Sequence, residues 1–137
     1  MSEAPPALSG VLETSIYYPH EVREETLDLY ERVLGLRRVA AWGDGTALRC
    51  GVGVLLLFDL AALAERDEPI ADHGAAAGGH VCLVAPPGAY ESWRERLRGE
   101  GVAITHEEEW PSGGRSFYLR DPAGNLLEIA DRDIWPS

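Results

Sequence analysis

A chain of 137 residues is long enough for one domain of ordinary size, and 45% hydrophobic with 26% charged residues excludes a disordered or low-complexity polymer. Twelve Lys and Arg against 23 Asp and Glu leave a net charge of −11, which repels a phosphate backbone and argues against nucleic acid as a partner. The longest apolar run, residues 52–58, is far shorter than the about 20 residues of a membrane helix, so no membrane partner is expected.

The start, Met1-Ser2-Glu3-Ala4-Pro5-Pro6, is acidic and proline-bearing, unlike a secretory signal, and a cytoplasmic protein is expected. Alternation in Leu12-Glu13-Thr14-Ser15-Ile16-Tyr17 predicts a first strand. Thr26, Leu29, Tyr30, Val33 and Leu34 recur at helical spacing and predict a helix over 21–34 that stops at Gly35. Extended runs follow at 38–42, 46–50 and 52–58. Residues 61–78, polar and then rich in small residues, read as a linker. The order then repeats: a strand from His80, a helix after Pro86-Pro87-Gly88 with Tyr90, Trp93 and Leu97 on one face, and extended runs at 102–107, 116–120 and 125–131. That helix should end near Gly99 or Gly101.

The halves are also related residue by residue. The run from Leu48 to Phe58 lies over that from Leu119 to Ile129 without a gap, matching Leu, Arg, Gly, Leu and Leu. The chain therefore reads as a single α+β domain over 1–137, with two βαβββ modules at 10–60 and 79–131. Helices covering one face of a curved mixed sheet leave the other face to enclose a concave cavity. Cys50 and Cys82 lack CxxC spacing and read as reduced core residues.

Period-two alternation predicts the cavity lining. Glu13, Ser15 and Tyr17 share one face of the first strand, and His80, Cys82 and Val84 share one face of its repeat. In the last strand Leu127 and Ile129 meet a helix, leaving Leu126, Glu128 and Ala130 inward, with Leu55 and Leu57 as first-half counterparts. Glu13, His80 and Glu128 are thus candidates to converge as metal ligands, Glu13 being equivalent to His80 and Leu57 to Glu128.

The strand Leu12-Glu13-Thr14-Ser15-Ile16-Tyr17, the helix end Leu29-Tyr30-Glu31-Arg32-Val33-Leu34-Gly35-Leu36, Gly79-His80-Val81, and Asp121-Pro122-Ala123-Gly124-Asn125-Leu126-Leu127-Glu128 together resemble the vicinal oxygen chelate superfamily. That group includes glyoxalase I, extradiol dioxygenases, epimerases, fosfomycin-resistance transferases and bleomycin-resistance proteins. The resemblance covers about residues 10–131 and implies the glyoxalase-like fold, a homodimer, and metal positions at Glu13, Leu57, His80 and Glu128. Leu57 cannot bind a metal, and Glu13 stands where the family more often has His or Gln, which argues against glyoxalase I activity itself.

One imidazole and two carboxylates suit a divalent ion: Zn, Ni, Mn, Fe, Co or Mg. Such an ion binds vicinal oxygens of a small substrate and stabilises an enolate-like intermediate, with Glu13 or Glu128 as the catalytic base, as in a lyase or isomerase. Two alternatives remain open: a metal-free protein that sequesters a small molecule or antibiotic, as bleomycin-resistance proteins do, and an extradiol-type dioxygenase. His73, Trp110 and Arg115 are candidate substrate contacts at the rim. Tyr118 either points into the cup or packs against the sheet, because one bulge flips the face. Glu107-Glu108-Glu109 reads as a solvated acidic turn, and Glu128 has Arg49 and Arg120 as alternative partners.

Overall fold

A computed structural model of the chain describes residues 5, 7, 10–65 and 78–135. The first module runs β1 (Glu13–Tyr18), a short 3-10 turn (His20–Val22), α1 (Arg23–Asp28), a π-helical turn (Leu29–Val33), β2 (Arg37–Trp42), β3 (Gly45–Cys50) and β4 (Gly53–Asp59). After α2 (Leu60–Ala64) the second runs β5 (His80–Val84), α3 (Tyr90–Gly99), β6 (His106–Glu109), β7 (Arg115–Arg120) and β8 (Leu126–Ala130). Each module is βαβββ and forms its own four-stranded sheet, in the orders β1-β4-β3-β2 and β5-β8-β7-β6. The pairs β1/β4 and β5/β8 are parallel and the others antiparallel, so both sheets are mixed. Most of the linker predicted at 61–78 lies outside the described residues, but it opens on the helix α2.

The predicted helix over 21–34 forms in three segments. Its end widens by one residue: the Leu34 N–H bonds to the Leu29 carbonyl at 2.8 Å instead of to Tyr30. Thr26, Leu29, Tyr30, Val33 and Leu34 are all buried, as their spacing predicts. The choice between Gly99 and Gly101 as the second helix stop is settled by the cap. Gly101 takes φ +76°, and the Val102 N–H returns to the Leu97 carbonyl at 2.9 Å, a bond that an L-residue at 101 would strain. The acidic run is not a free turn: it forms β6, and Glu107 accepts hydrogen bonds from Tyr90 and Arg94.

One apolar core spans both modules. Ile16, Leu55 and Leu57 from the first sheet and Phe117, Leu127 and Ile129 from the second meet Tyr30, Val33 and Leu97 of the helices. Each fully buried side chain of this size stabilises the fold by about 1.5–3 kcal/mol.

The Asp-Pro-Ala-Gly-Asn run ties the halves together. Asp121 accepts from the Tyr30 hydroxyl at 2.8 Å and from the backbone and side chain of Asn125, both at 2.8 Å. Asn125 in turn donates to the Tyr17 carbonyl at 2.9 Å and accepts from the Gly79 N–H at 3.1 Å. Burial and then the Asp121 charge drive the Tyr30 hydroxyl well above its ordinary pKa, so it remains a donor.

A second polar clamp anchors α2. Asp59 accepts from the Ala61 and Ala62 N–H groups as a helix N-cap, and its other oxygen lies 2.6 Å from His20 Nδ1. Burial raises the Asp59 carboxyl, but the bonds from His20 and the two amides outweigh it and hold its pKa below the ordinary value of 3.8. The hydrogen bond to Asp59 raises His20 above its ordinary 6.5. The stability this pair contributes is therefore fully present below pH 6.5 and fades as pH rises through the raised His20 value; it also fades in acid as Asp59 protonates. Thermal melts of parent and His20→Ala should differ most near pH 5–6 and converge by about pH 9. A gap that persists undiminished at alkaline pH removes the ion pair as its cause.

Candidate functional site

Strand register decides which side chains share the cavity face. In the second sheet His80 pairs with Leu126, and Tyr118 pairs with Glu128. In the first, Glu13 pairs with Val54 and Ala47 with Leu56. If Glu13 is equivalent to His80, Val54 answers to Leu126 and Leu56 to Glu128. This corrects the sequence expectation that Leu57 is the counterpart of Glu128. Leu57 is fully buried against the helices in the main core. Leu56, on the opposite face, packs with Phe58, Ala47 and Tyr17. The gap-free sequence match misplaced the pair because the path from Tyr118 to its partner Glu128 is one residue longer than that from Ala47 to its partner Leu56. Leu56 is no more able to bind a metal than Leu57, so a set of three protein ligands remains the expectation.

His80, Tyr118 and Glu128 are brought together. His80 Nε2 lies 3.3 Å from Glu128 Oε1, and the side chains are 48% and 6% exposed, respectively. His80 Nδ1 lies 3.0 Å from the Leu126 carbonyl. A carbonyl only accepts, so Nδ1 donates to it, and Nε2 is the ring nitrogen turned toward the carboxylate. Glu128 Oε2 is buried without a hydrogen-bond partner. Neither Arg49 nor Arg120 pairs with Glu128; Arg120 donates instead to the Gly124 carbonyl.

Tyr118 faces the cavity, which resolves its strand phase. Its ring stacks on His80 with centroids 6.4 Å apart, and His106 flanks it at 5.8 Å. Burial and then the Glu128 charge push the Tyr118 hydroxyl up to about 12, and the same two causes push the Cys82 thiol to about 12. Both groups are protonated at neutral pH. Cys82 is exposed on this face and Cys50 is half-buried, so neither is the fully buried residue expected from its strand.

These groups line a cavity of about 440 Å³ whose other walls are Trp110, Ile134 and Trp135. The Trp110 indole N–H donates to Ser116 Oγ at 2.8 Å. Ile134 and Trp135 were missed in the sequence because they follow the last predicted strand, although an Ile-Trp pair in an otherwise polar tail is a usable signal. The Ile134 carbonyl accepts from Ser112 Oγ at 3.2 Å, which holds the tail beside the cavity.

Arg115, expected at the substrate side, lies elsewhere. It sits over the Tyr90 ring at 4.2 Å and bonds Glu91 at 3.1 Å, because its place in β7 points it to the helix side of the sheet. His73 lies outside the described residues. Glu13 is exposed on β1. Among the described residues no three His, Cys, Asp or Glu side chains are gathered to hold a metal ion, so a single chain brings together His80 and Glu128 without Glu13. Also among the described residues, no helix is long and apolar enough to cross a membrane.

The fold has counterparts among known proteins. A lactoylglutathione lyase from Agrobacterium tumefaciens has a solved structure that superposes with a TM-score of 0.85 at 33% identity, over 98% of this chain and all (100%) of that one. Glutathione transferase FosA of Serratia marcescens is 29% identical over 107 residues, which span 77% of this chain and 70% of that protein. An integron cassette protein from the mobile metagenome of V. cholerae shares the fold, with a TM-score of 0.75 at 23% identity over 95% of this chain and 100% of that one. Residues 23–129 match the family model described as the Glyoxalase/Bleomycin resistance protein/Dioxygenase superfamily, and the chain belongs to that family.

Proposed function

We propose that the protein is a divalent-metal-dependent lyase or isomerase of the glyoxalase type, acting on a small substrate with vicinal oxygens. The observation that carries this reading is the buried Glu128, whose Oε2 has no hydrogen-bond partner and whose Oε1 lies 3.3 Å from His80 Nε2. An orphaned buried carboxylate oxygen is costly unless a cation or donor meets it. The Leu126 carbonyl is the outer partner that fixes a ligating imidazole, and it is already in place. The residues therefore fit a metal ion.

His80 and Glu128 would hold that ion, and Glu13 of a second copy would complete the set in a homodimer. Val11 and Leu12, 81% and 68% exposed beside Glu13, support an apolar contact there. When bound, the metal supplies Lewis acidity to the substrate oxygens. The chain's own groups do the rest. Glu128, 4% exposed, is held in place, whereas Glu13, exposed on β1, would be the carboxylate that takes a proton from substrate carbon and returns it. Tyr118 stays protonated and offers its O–H to a substrate oxygen. The relative named as a lyase, at 33% identity, supports the reaction class. Free Cys50 and Cys82 are consistent with a cytoplasmic setting.

The aromatic walls beside this pair support a second reading, a metal-free protein that sequesters a small molecule. Elemental analysis of untagged protein purified without chelator separates the two. About one divalent ion per chain is expected, and adding the ion back to apo protein at a hundredfold excess over Kd should stabilise it by about 2.7 kcal/mol. No ion and no uptake would sink the metalloenzyme and leave the sequestering cup.

A further inference from the structure

We infer that the substrate is an uncharged or cationic molecule with an aromatic or bulky apolar body, and that an anionic tail is rejected. The inference rests on the reading of His80 and Glu128 as the reacting end of the cavity and names what occupies the rest of it.

Three observations carry it. First, the cavity of about 440 Å³ is within the common range for small-ligand pockets, about 300–1,000 Å³, and its far walls are Trp110, Ile134 and Trp135. The Trp110 indole is pinned by its bond to the buried Ser116 hydroxyl, so this wall is set before a ligand arrives. Second, no Lys or Arg is among the described residues lining the cavity. The nearest cations in sequence are engaged elsewhere: Arg120 donates to the Gly124 carbonyl, Arg132 pairs with Asp131, and Arg115 is spent on Glu91 and the Tyr90 ring. A phosphonate or a peptide carboxylate would find no counter-ion. Third, the nearby fixed charges are negative. Glu128 is inside the cavity, and Glu108 pairs with His106 at 2.6 Å on the flank of Tyr118. A ligand carboxylate placed there meets repulsion in a partly desolvated site.

Hydroxamates present two vicinal oxygens to a metal and vary only in the body attached. The test is calorimetric titration of full-length protein, loaded with Ni²⁺ or Zn²⁺, with acetohydroxamate, benzohydroxamate and 4-carboxybenzohydroxamate. Benzohydroxamate should bind at least tenfold tighter than acetohydroxamate, and the carboxylate should cost at least tenfold. Trp110→Ala should shrink the first ratio below threefold, and Trp135→Ala, in an exposed tail, serves where the former misfolds. Either parent ratio below fivefold overturns the substrate class. Metal uptake with no hydroxamate binding overturns it too and leaves the chelate reading standing. Failure to take up any metal fells the chelate reading first, and this inference with it.

Discussion

Replacing His80 by Ala is expected to weaken metal binding by at least ~100-fold while leaving the fold intact, the upper end of what loss of a mere outer partner of a ligand costs. The His80 side chain is 48% exposed and contributes nothing to the apolar core, so its removal opens no internal void. What it removes is Nε2 of an imidazole already oriented by the bond from Nδ1 to the Leu126 carbonyl. Glu128→Gln tests the other half: it keeps the shape of a side chain that is 4% exposed but removes the charge. It should lose metal to a similar extent, and its unfolding midpoint without metal should not fall. Metal content after dialysis and circular dichroism on the same samples read both quantities. Full occupancy in either variant would end the assignment of that residue as a ligand.

Asp121→Ala should destabilise the protein by about 3–5 kcal/mol, the largest effect on stability expected from a polar residue here. Three donors lose their acceptor together: the Tyr30 hydroxyl and both nitrogens of Asn125. Asp121 and Asn125 are 4% and 2% exposed, so water cannot replace the lost partner without opening the packing. Asn125 is also the residue that bonds to Tyr17 and Gly79, so the damage reaches β1 and the entry to β5. Tyr30→Phe should cost less, about 1–2 kcal/mol, because Asp121 keeps its bonds from Asn125. Urea denaturation curves of the three proteins give the comparison. An Asp121→Ala variant within 1 kcal/mol of the parent, a margin well under the cost of one orphaned buried donor, would show that the polar network does not couple the modules.

The legible part of the site was the part that depends on period alone. Alternation put Glu13, His80 and Glu128 on cavity-facing phases, and the register agrees that His80, Tyr118 and Glu128 share a face. The error over Leu57 arose where a one-residue difference between the two hairpins, measured across paired positions, shifted an otherwise good match. A shift of one residue exchanges the two faces of a strand, so sequence identity alone aligned a core leucine with a cavity glutamate. Arg115 failed as a rim residue for the same reason, since its neighbour Ser116 rather than Arg115 carries the cavity phase.

The sequence by itself determined the βαβββ duplication, the buried faces of both helices and the family, because these rest on local periodicity and on short motifs whose spacing the chain preserves. Only the tertiary structure decided that Asp121 and Asn125 are fasteners between modules, that the C-terminal Ile134 and Trp135 wall the cavity, and that one chain assembles two of the three expected ligands. The physical reason is distance along the chain. The Tyr30–Asp121 and Tyr17–Asn125 bonds join residues 91 and 108 positions apart, and no local pattern carries the packing that brings them together.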